Sequence, residues 1–277
     1  MIGWLIYSAV DVEKNKYYIQ MYKDKFKEHF IEIKLVIVEE LENMEQYVKC
    51  NKVDFAINRS RNHIMGELLE QKGVRVFNSS SVTRIANNKG ITYEFLKDVV
   101  PFLAVKYGNE IIESKIENKG FEYPYVIKSC SGHGGSQVFL VNNSKEEEQA
   151  VKAMNGQEYV VQQCCSDLGR DVRVYIIGNK IIKAVLRTST ESFKSNYSLG
   201  GKVQEYTLNN EEKAMVERIV DKLPLDYAGI DFTFNNGKAV FNEIEDAVGA
   251  RMLYQVSDID IVEMSIKYIL EQLSKEW

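Results

Sequence analysis

The chain has 277 residues, 45% hydrophobic and 27% charged, a balance that excludes a disordered protein and fits a globular one with a sizeable core in two or three lobes. Its net charge is −5 and no run of Lys or Arg is long enough to track phosphates along a strand, which argues against nucleic acid as a partner. The apolar Met1–Tyr7 start has no basic leader, no later run is long enough to span a bilayer, and Cys50, Cys130, Cys164 and Cys165 have no metal-like spacing; a soluble protein of the reducing cytoplasm with no membrane partner is expected.

In chain order, strand and helix signals alternate over roughly the first 80 residues, as in a small open parallel sheet. Strands are predicted at Gly3–Ala9, Ile33–Val38, Val53–Ile57 and Val74–Phe77, with helices at Asn15–His29, Leu41–Val48 and Asn62–Lys72 between them. Ser79-Ser80-Ser81 marks a break, and a single helix is predicted over Val82–Lys97. Next come strands at Tyr125–Ile127 and Gln137–Val141, then a helix whose start fits a capping box of Ser144 with Glu147. Strands dominate afterwards, at Tyr159–Gln163, Val172–Ile177 and Ile181–Leu186, with a helix at Glu211–Leu223 before a final hairpin. A last helix, Asp258–Ser274, is expected to pack on this third lobe. The boundaries implied are residues 1–85, 86–157 and 158–277, an α/β lobe followed by two α+β lobes.

Two stretches carry chemistry. Lys128-Ser129-Cys130-Ser131-Gly132-His133-Gly134-Gly135-Ser136 lies between two predicted strands and reads as a flap over phosphates: small residues let backbone N–H groups come close to phosphate oxygens, and Lys128 adds a cation. No helix follows the loop, so it is neither a Walker loop nor a Rossmann turn. The competing reading is a mobile Gly/Ser-rich hairpin tip, in which His133 is only a polar loop residue. The second stretch pairs Ile230–Phe234 with Val240–Glu245 across Asn235-Asn236-Gly237. With Phe234 opposite Lys238 across a three-residue loop, Asp231, Glu243 and Glu245 share one face and the apolar residues the other. Three carboxylates together suit a hard divalent cation held by oxygen ligands; the alternative is a solvated strand face with ordinary surface acids. On the metal reading, changing Asp231 to Asn is expected to leave the fold intact.

The order of these motifs resembles the ATP-grasp superfamily, and within it the RimK-like branch of ribosomal S6 glutamate ligases, over nearly the whole chain. Asn88-Lys89 is similar to the family's Asp-Lys, Tyr125–Lys128 to the strand bearing its second lysine, and Val160–Gln163 to the segment that meets adenine. Gly169–Arg173 resembles Gly-x-Asp-Ile-Arg, Phe193–Asn196 Phe-Arg-Ser-Asn, and Ala228–Asp231 Ala-Gly-Val-Asp. The resemblance implies an ATP-grasp fold with two subdomains clasping the nucleotide. It implies ATP contacts at Lys89, Lys128, Gly134, Gly135, Ser136, Gln162, Gln163, Asp171, Lys194 and Ser195, and two Mg²⁺ ions, with Mn²⁺ as the alternative, on Asp231, Glu243 and Glu245. Arg187, Asn196 and Arg251 are the implied catalytic residues. Two departures stand out: Glu245 replaces the family's metal-binding Asn, and Gln163-Cys164-Cys165 replaces its usual hinge sequence.

The implied reaction is carboxylate activation as an acyl phosphate, followed by amide formation with an amine and release of ADP and phosphate. A phosphotransferase on the same fold and a nucleotide-binding regulator without turnover are the alternatives. Arg59, Arg61, Arg187 and Arg251 suggest a small amino acid or peptide substrate with its own carboxylate. For Arg251 an ion pair with Asp246 competes with that role, and for Arg59 and Arg61 plain surface charge does. Assembly into a homo-oligomer is left open.

Overall fold

The computed structural model describes residues 1–108, 121–135, 137–190 and 201–275. Strands β1 (Ile2–Tyr7), β2 (Glu32–Ile37), β3 (Phe55–Asn58) and β4 (Arg75–Phe77) form a parallel sheet in the order β2-β1-β3-β4. Strands β5 (Val105–Tyr107), β6 (Tyr125–Ser129), β7 (Val138–Val141) and β8 (Tyr159–Gln163) form an antiparallel sheet in the order β5-β8-β6-β7. The third sheet, also antiparallel, contains β9 (Arg170–Ile177), β10 (Lys180–Thr188), β11 (Lys202–Tyr206), β12 (Tyr227–Asn235) and β13 (Lys238–Glu245), ordered β11-β10-β9-β12-β13. The short β5 and β11, whose sequences lack a strong alternating signal, were not anticipated.

Helix boundaries depart from expectation where asparagine caps intervene. The single helix expected over Val82–Lys97 is two, Ser80–Ala86 and Lys89–Leu96. The Asn88 side chain accepts from the Ile91 N–H at 3.1 Å and starts the second helix afresh, which sets Lys89 at its first position, facing the cleft. Likewise Asn143, not Ser144, caps helix Ser144–Met154, through the Glu146 N–H at 3.1 Å; the expected Ser144/Glu147 box does not form.

The last helix, Ile261–Lys275, packs on the N-terminal lobe rather than the third sheet alone. Val262, Ile266, Ile269 and Leu273 join Leu5, Tyr22 and Phe26 in one apolar cluster, and the Tyr22 and Ser265 hydroxyls bond at 2.9 Å. Periodicity identified its buried stripe, but the lobe that the stripe covers is a tertiary matter. Helices Ser80–Ala86, Lys89–Leu96 and Asn210–Lys222 cover the other core, against Val172, Val174, Ile230, Phe232 and Phe241. Each buried phenylalanine there stabilises the sheet by roughly 1.5–3 kcal/mol.

Candidate active site

The β12–β13 hairpin closes with a two-residue turn, Asn236-Gly237, with Asn235 paired to Lys238 and Phe234 to Ala239. The expected three-residue loop is therefore wrong. Both turn residues have positive φ, 52° and 74°, the geometry that Asn-Gly adopts readily. Such a turn alone would put Asp231 and Glu243 on opposite faces. A bulge at Asn242 restores the frame: Phe232 pairs with Phe241 and Asp231 with Glu243, so Asn242 is the extra residue. Before the bulge Ala239 and Phe241 face the core, and after it Ile244 does, leaving Asp231, Glu243 and Glu245 together on the cleft face.

Strand register also decides what the acids meet. In the third sheet Arg173 on β9 lies opposite Asp231 on β12, and Asp171 on β9 opposite Arg187 on β10. Arg173 donates through Nε and Nη2 to the two Asp231 oxygens, both at 2.7 Å, and Arg187 Nη2 donates to Asp231 Oδ2 at 2.7 Å. Arg187 also forks onto Asp171 at 2.5 and 2.7 Å, and Arg173 meets Glu245 at 2.5 Å. Asp231 is 0% exposed. Burial pushes its pKa upward, but Arg173 and then Arg187 outweigh that and hold it down at about 2. Arg173 has no expected role from the sequence; its period-2 spacing from Asp171, which puts both on one strand face, is the signal that marks it.

Glu243 and Glu245, with side chains 32% and 27% exposed, show oxygens to the cleft. Oxygen-only donors of this kind fit a hard divalent cation such as Mg²⁺. Among the described residues no three acidic, thiol or imidazole groups form a ready cage, because guanidinium groups already fill the space around Asp231. Asp231 joins such a site while shared with Arg173 and Arg187, through the lone pair that Oδ1 has left.

A first cavity, about 840 Å³ with its mouth, opens between the second and third sheets. Leu103, Val126, Val138 and Leu168 supply its apolar lining, together with the side chains of Gln162 and Gln163. Lys89, Lys128, Gly134 and Gly135 line it as well. Lys128 is buried and donates to Asn242 Oδ1 at 2.8 Å; burial brings its pKa down to about 8 against the pull of Glu243. Lys89 donates to the Gly132 carbonyl at 2.5 Å and lies 3.3 Å from Glu243. Gly134 and Gly135 have φ of 65° and 77°, which glycine adopts without strain. Ser136, Lys194, Ser195 and Asn196 lie outside the described residues.

A second cavity, about 1610 Å³ with its mouth, lies between the N-terminal lobe and the third sheet. Lys89, Arg187, Glu243 and the flap residues Gly132–Gly134 line both cavities. Arg61 lines this second space and ion-pairs with Asp11. Arg59 is not surface charge: it is 4% exposed, donating to the Tyr7 hydroxyl at 2.9 Å and the Val248 carbonyl at 2.7 Å. Arg251 opens helix Arg251–Val256 on the cavity wall, and the ion pair with Asp246 does not form, since Asp246 is buried and accepts from Asn87 at 2.9 Å.

The sequence profile of the RimK-like ATP-grasp domain matches residues 94–269. The chain belongs to that family. It is 32% identical over 269 residues to the uncharacterized protein MG011 of Mycoplasma genitalium, covering 96% of this chain and 91% of that protein. A probable alpha-L-glutamate ligase of Haemophilus ducreyi is 25% identical over 206 residues, covering 72% and 67%. In fold, D-alanine--D-alanine ligase from Bacillus anthracis complexed with ATP superposes with a TM-score of 0.77 at 16% identity, over 99% of this chain and 98% of that one. The fold is thus ATP-grasp, shared with proteins named as ligases. No described helix is long and apolar enough to cross a membrane.

Proposed function

We propose that the protein is an ATP-dependent carboxylate–amine ligase that forms an amide through an acyl phosphate. The observation that carries this reading is the meeting of two cavities at one charged wall: Lys89, Arg187 and Glu243 face both. ATP occupies the first cavity, with its base among Leu103, Val126 and Leu168 and its phosphates at Lys89, Lys128 and the flap residues Gly134 and Gly135. The Bacillus anthracis ligase of the same fold is complexed with ATP, which supports ATP as the nucleotide.

A carboxylate in the second cavity attacks the γ-phosphorus, the bond to the β-phosphate oxygen breaks, and ADP leaves. An amine then attacks the acyl carbon, phosphate departs with the carbon–oxygen bond electrons, and the nitrogen loses a proton. Arg187 faces the transferring group, and Asp171 holds its guanidinium plane by a two-point bond. Glu243 and Glu245, with Asp231 behind them, are the residues to hold Mg²⁺, which when bound neutralises charge on the phosphates. The family resemblance adds Lys194 and Ser195 as nucleotide contacts and Asn196 as a catalytic residue, all outside the described residues.

One of the joined substrates brings its own carboxylate. Lys14 and Arg251 both line the second cavity, and neither has an ion-pair partner among the described residues, whereas Arg61, Arg173 and Arg187 are paired with acids. The Haemophilus ducreyi relative, named a probable alpha-L-glutamate ligase, supports an amino-acid or peptide substrate. The test is a product-mass screen with MgATP and pooled amino acids and peptides. ADP and phosphate appearing only when an amine and a carboxylate are both present, with a product lighter by water than their sum, is expected. A stable phosphorylated product would instead identify a phosphotransferase, and nucleotide binding without turnover a regulator.

A further inference from the structure

The Gln162 side chain lines the first cavity beside Val126, and its orientation is fixed by a proton count. Gln162 sits opposite Val126 in the β6–β8 pairing, and Lys128 sits opposite Val160, so Gln162 shares the cavity face with the lysine that meets the phosphates. It is only 2% exposed, and its amide nitrogen lies 3.1 Å from the Tyr93 hydroxyl. Tyr93 is itself buried, on helix Lys89–Leu96, between the rings of Phe102 and Phe241. Its hydroxyl lies 2.8 Å from the backbone carbonyl of Asn242, the bulged residue of β13.

A carbonyl oxygen can only accept, so the single phenolic proton is committed to Asn242. The lone pairs of the phenolic oxygen then face Gln162, which must turn its NH₂ toward them. Burial drives the Tyr93 pKa upward, so the proton stays in place throughout the neutral range. Turning the amide over would set its oxygen against the phenolic oxygen with no proton between them. The carboxamide oxygen is thereby left as the acceptor available to a base in the cavity. Adenine presents an amino donor at its 6 position, and guanine and hypoxanthine present a carbonyl acceptor there.

We propose that Tyr93 is the positioning residue for nucleobase choice: it holds the Gln162 carboxamide with its oxygen toward the base, so that a 6-amino purine is taken and a 6-oxo purine refused. The proposal rests on the reading of the first cavity as the nucleotide site. Because the anchor is the Asn242 carbonyl, the same bulge that aligns the acids also sets base choice, and Asn242 Oδ1 in turn holds Lys128.

The experiment is calorimetric titration of the full chain with MgATP and with the magnesium salt of inosine triphosphate, which differs at the 6 position without adding the 2-amino group of guanine. For the native protein ATP is expected to bind at least about tenfold more tightly, the penalty of an unmade buried hydrogen bond. In Tyr93→Phe the amide is free to turn, and the two affinities should come within about threefold of each other, a collapse of the preference that a purely packing role for the ring does not produce. Gln162→Leu should likewise lose the preference while weakening ATP, and it serves if Tyr93→Phe fails to fold. Equal affinities in the native protein, or a full ATP preference surviving in either variant, would overturn the base-reading proposal while leaving the nucleotide site in place. If neither nucleotide binds the native protein, the nucleotide reading of the cavity itself fails and the proposal falls with it.

Discussion

Replacing Asp231 by Asn should destabilise the protein as well as silence it. The sequence alone suggested an exposed metal ligand that could be changed without harm to the fold. The structure shows a carboxylate that is 0% exposed and accepts three charge-assisted bonds at 2.7 Å from Arg173 and Arg187. An amide in its place turns N–H toward one guanidinium and removes the charge that offsets both, and breaking a buried pair in this way costs about 3–5 kcal/mol. Glu245 beside Arg173 and Asp171 beside Arg187 retain part of the compensation, so the lower figure, about 3 kcal/mol, is expected. At roughly 2–4 °C per kcal/mol for a chain of this size, the melting temperature should fall by about 6–12 °C. Glu243→Gln is the internal comparison, because Glu243 is partly exposed and touches Lys89 at 3.3 Å, an ion pair worth under about 1 kcal/mol. Both variants should lose ligase turnover, but only the first should melt early. Thermal and urea unfolding monitored by circular dichroism, without nucleotide, measures the difference; an Asp231→Asn protein melting within about 2 °C of the native one would refute the buried-network argument.

Other outcomes are expected at the cavities. Burial brings the Lys128 pKa down to about 8, so its charge is present below pH 8 and lost above it; MgATP affinity should weaken by up to about tenfold per pH unit beyond 8, and Lys128→Arg should flatten that dependence in calorimetry between pH 7 and 9.5. Arg251→Ala should raise KM for a carboxylate-bearing acceptor by roughly tenfold and leave KM for ATP unchanged, and amidation of that acceptor carboxylate should produce the same loss in the native enzyme. The flap around Gly132–Gly135 buries little apolar surface of its own, so hydrogen exchange there should slow when MgATP is added; equal exchange with and without nucleotide would count against closure over the phosphates.

The sequence by itself determined the local chemistry. Alternation in Ile230–Phe234 marked which strand face is buried, the Gly-rich run after Lys128 marked a loop whose backbone can approach an anion, and motif order pointed to the ATP-grasp fold. Short-range periodicity is written in neighbouring residues, so these features were legible without knowing what lies across the cleft. The tertiary structure decided the partners. Whether the hairpin loop has two or three residues depends on the bulge at Asn242, whose carbonyl and side chain are anchored by Tyr93 and Lys128 from elsewhere in the chain. Arg59 reads as surface charge in a polar segment, yet the meeting of the N-terminal and third sheets buries it against Tyr7 and Val248. Asp231 likewise changed from exposed ligand to the centre of a buried guanidinium network, because register across β9, β10 and β12 sets Arg173 and Arg187 on its two sides. Charge, unlike hydrophobic periodicity, leaves no sign in a sequence of whether its counter-charge will be water or another side chain; only packing of distant strands settles that.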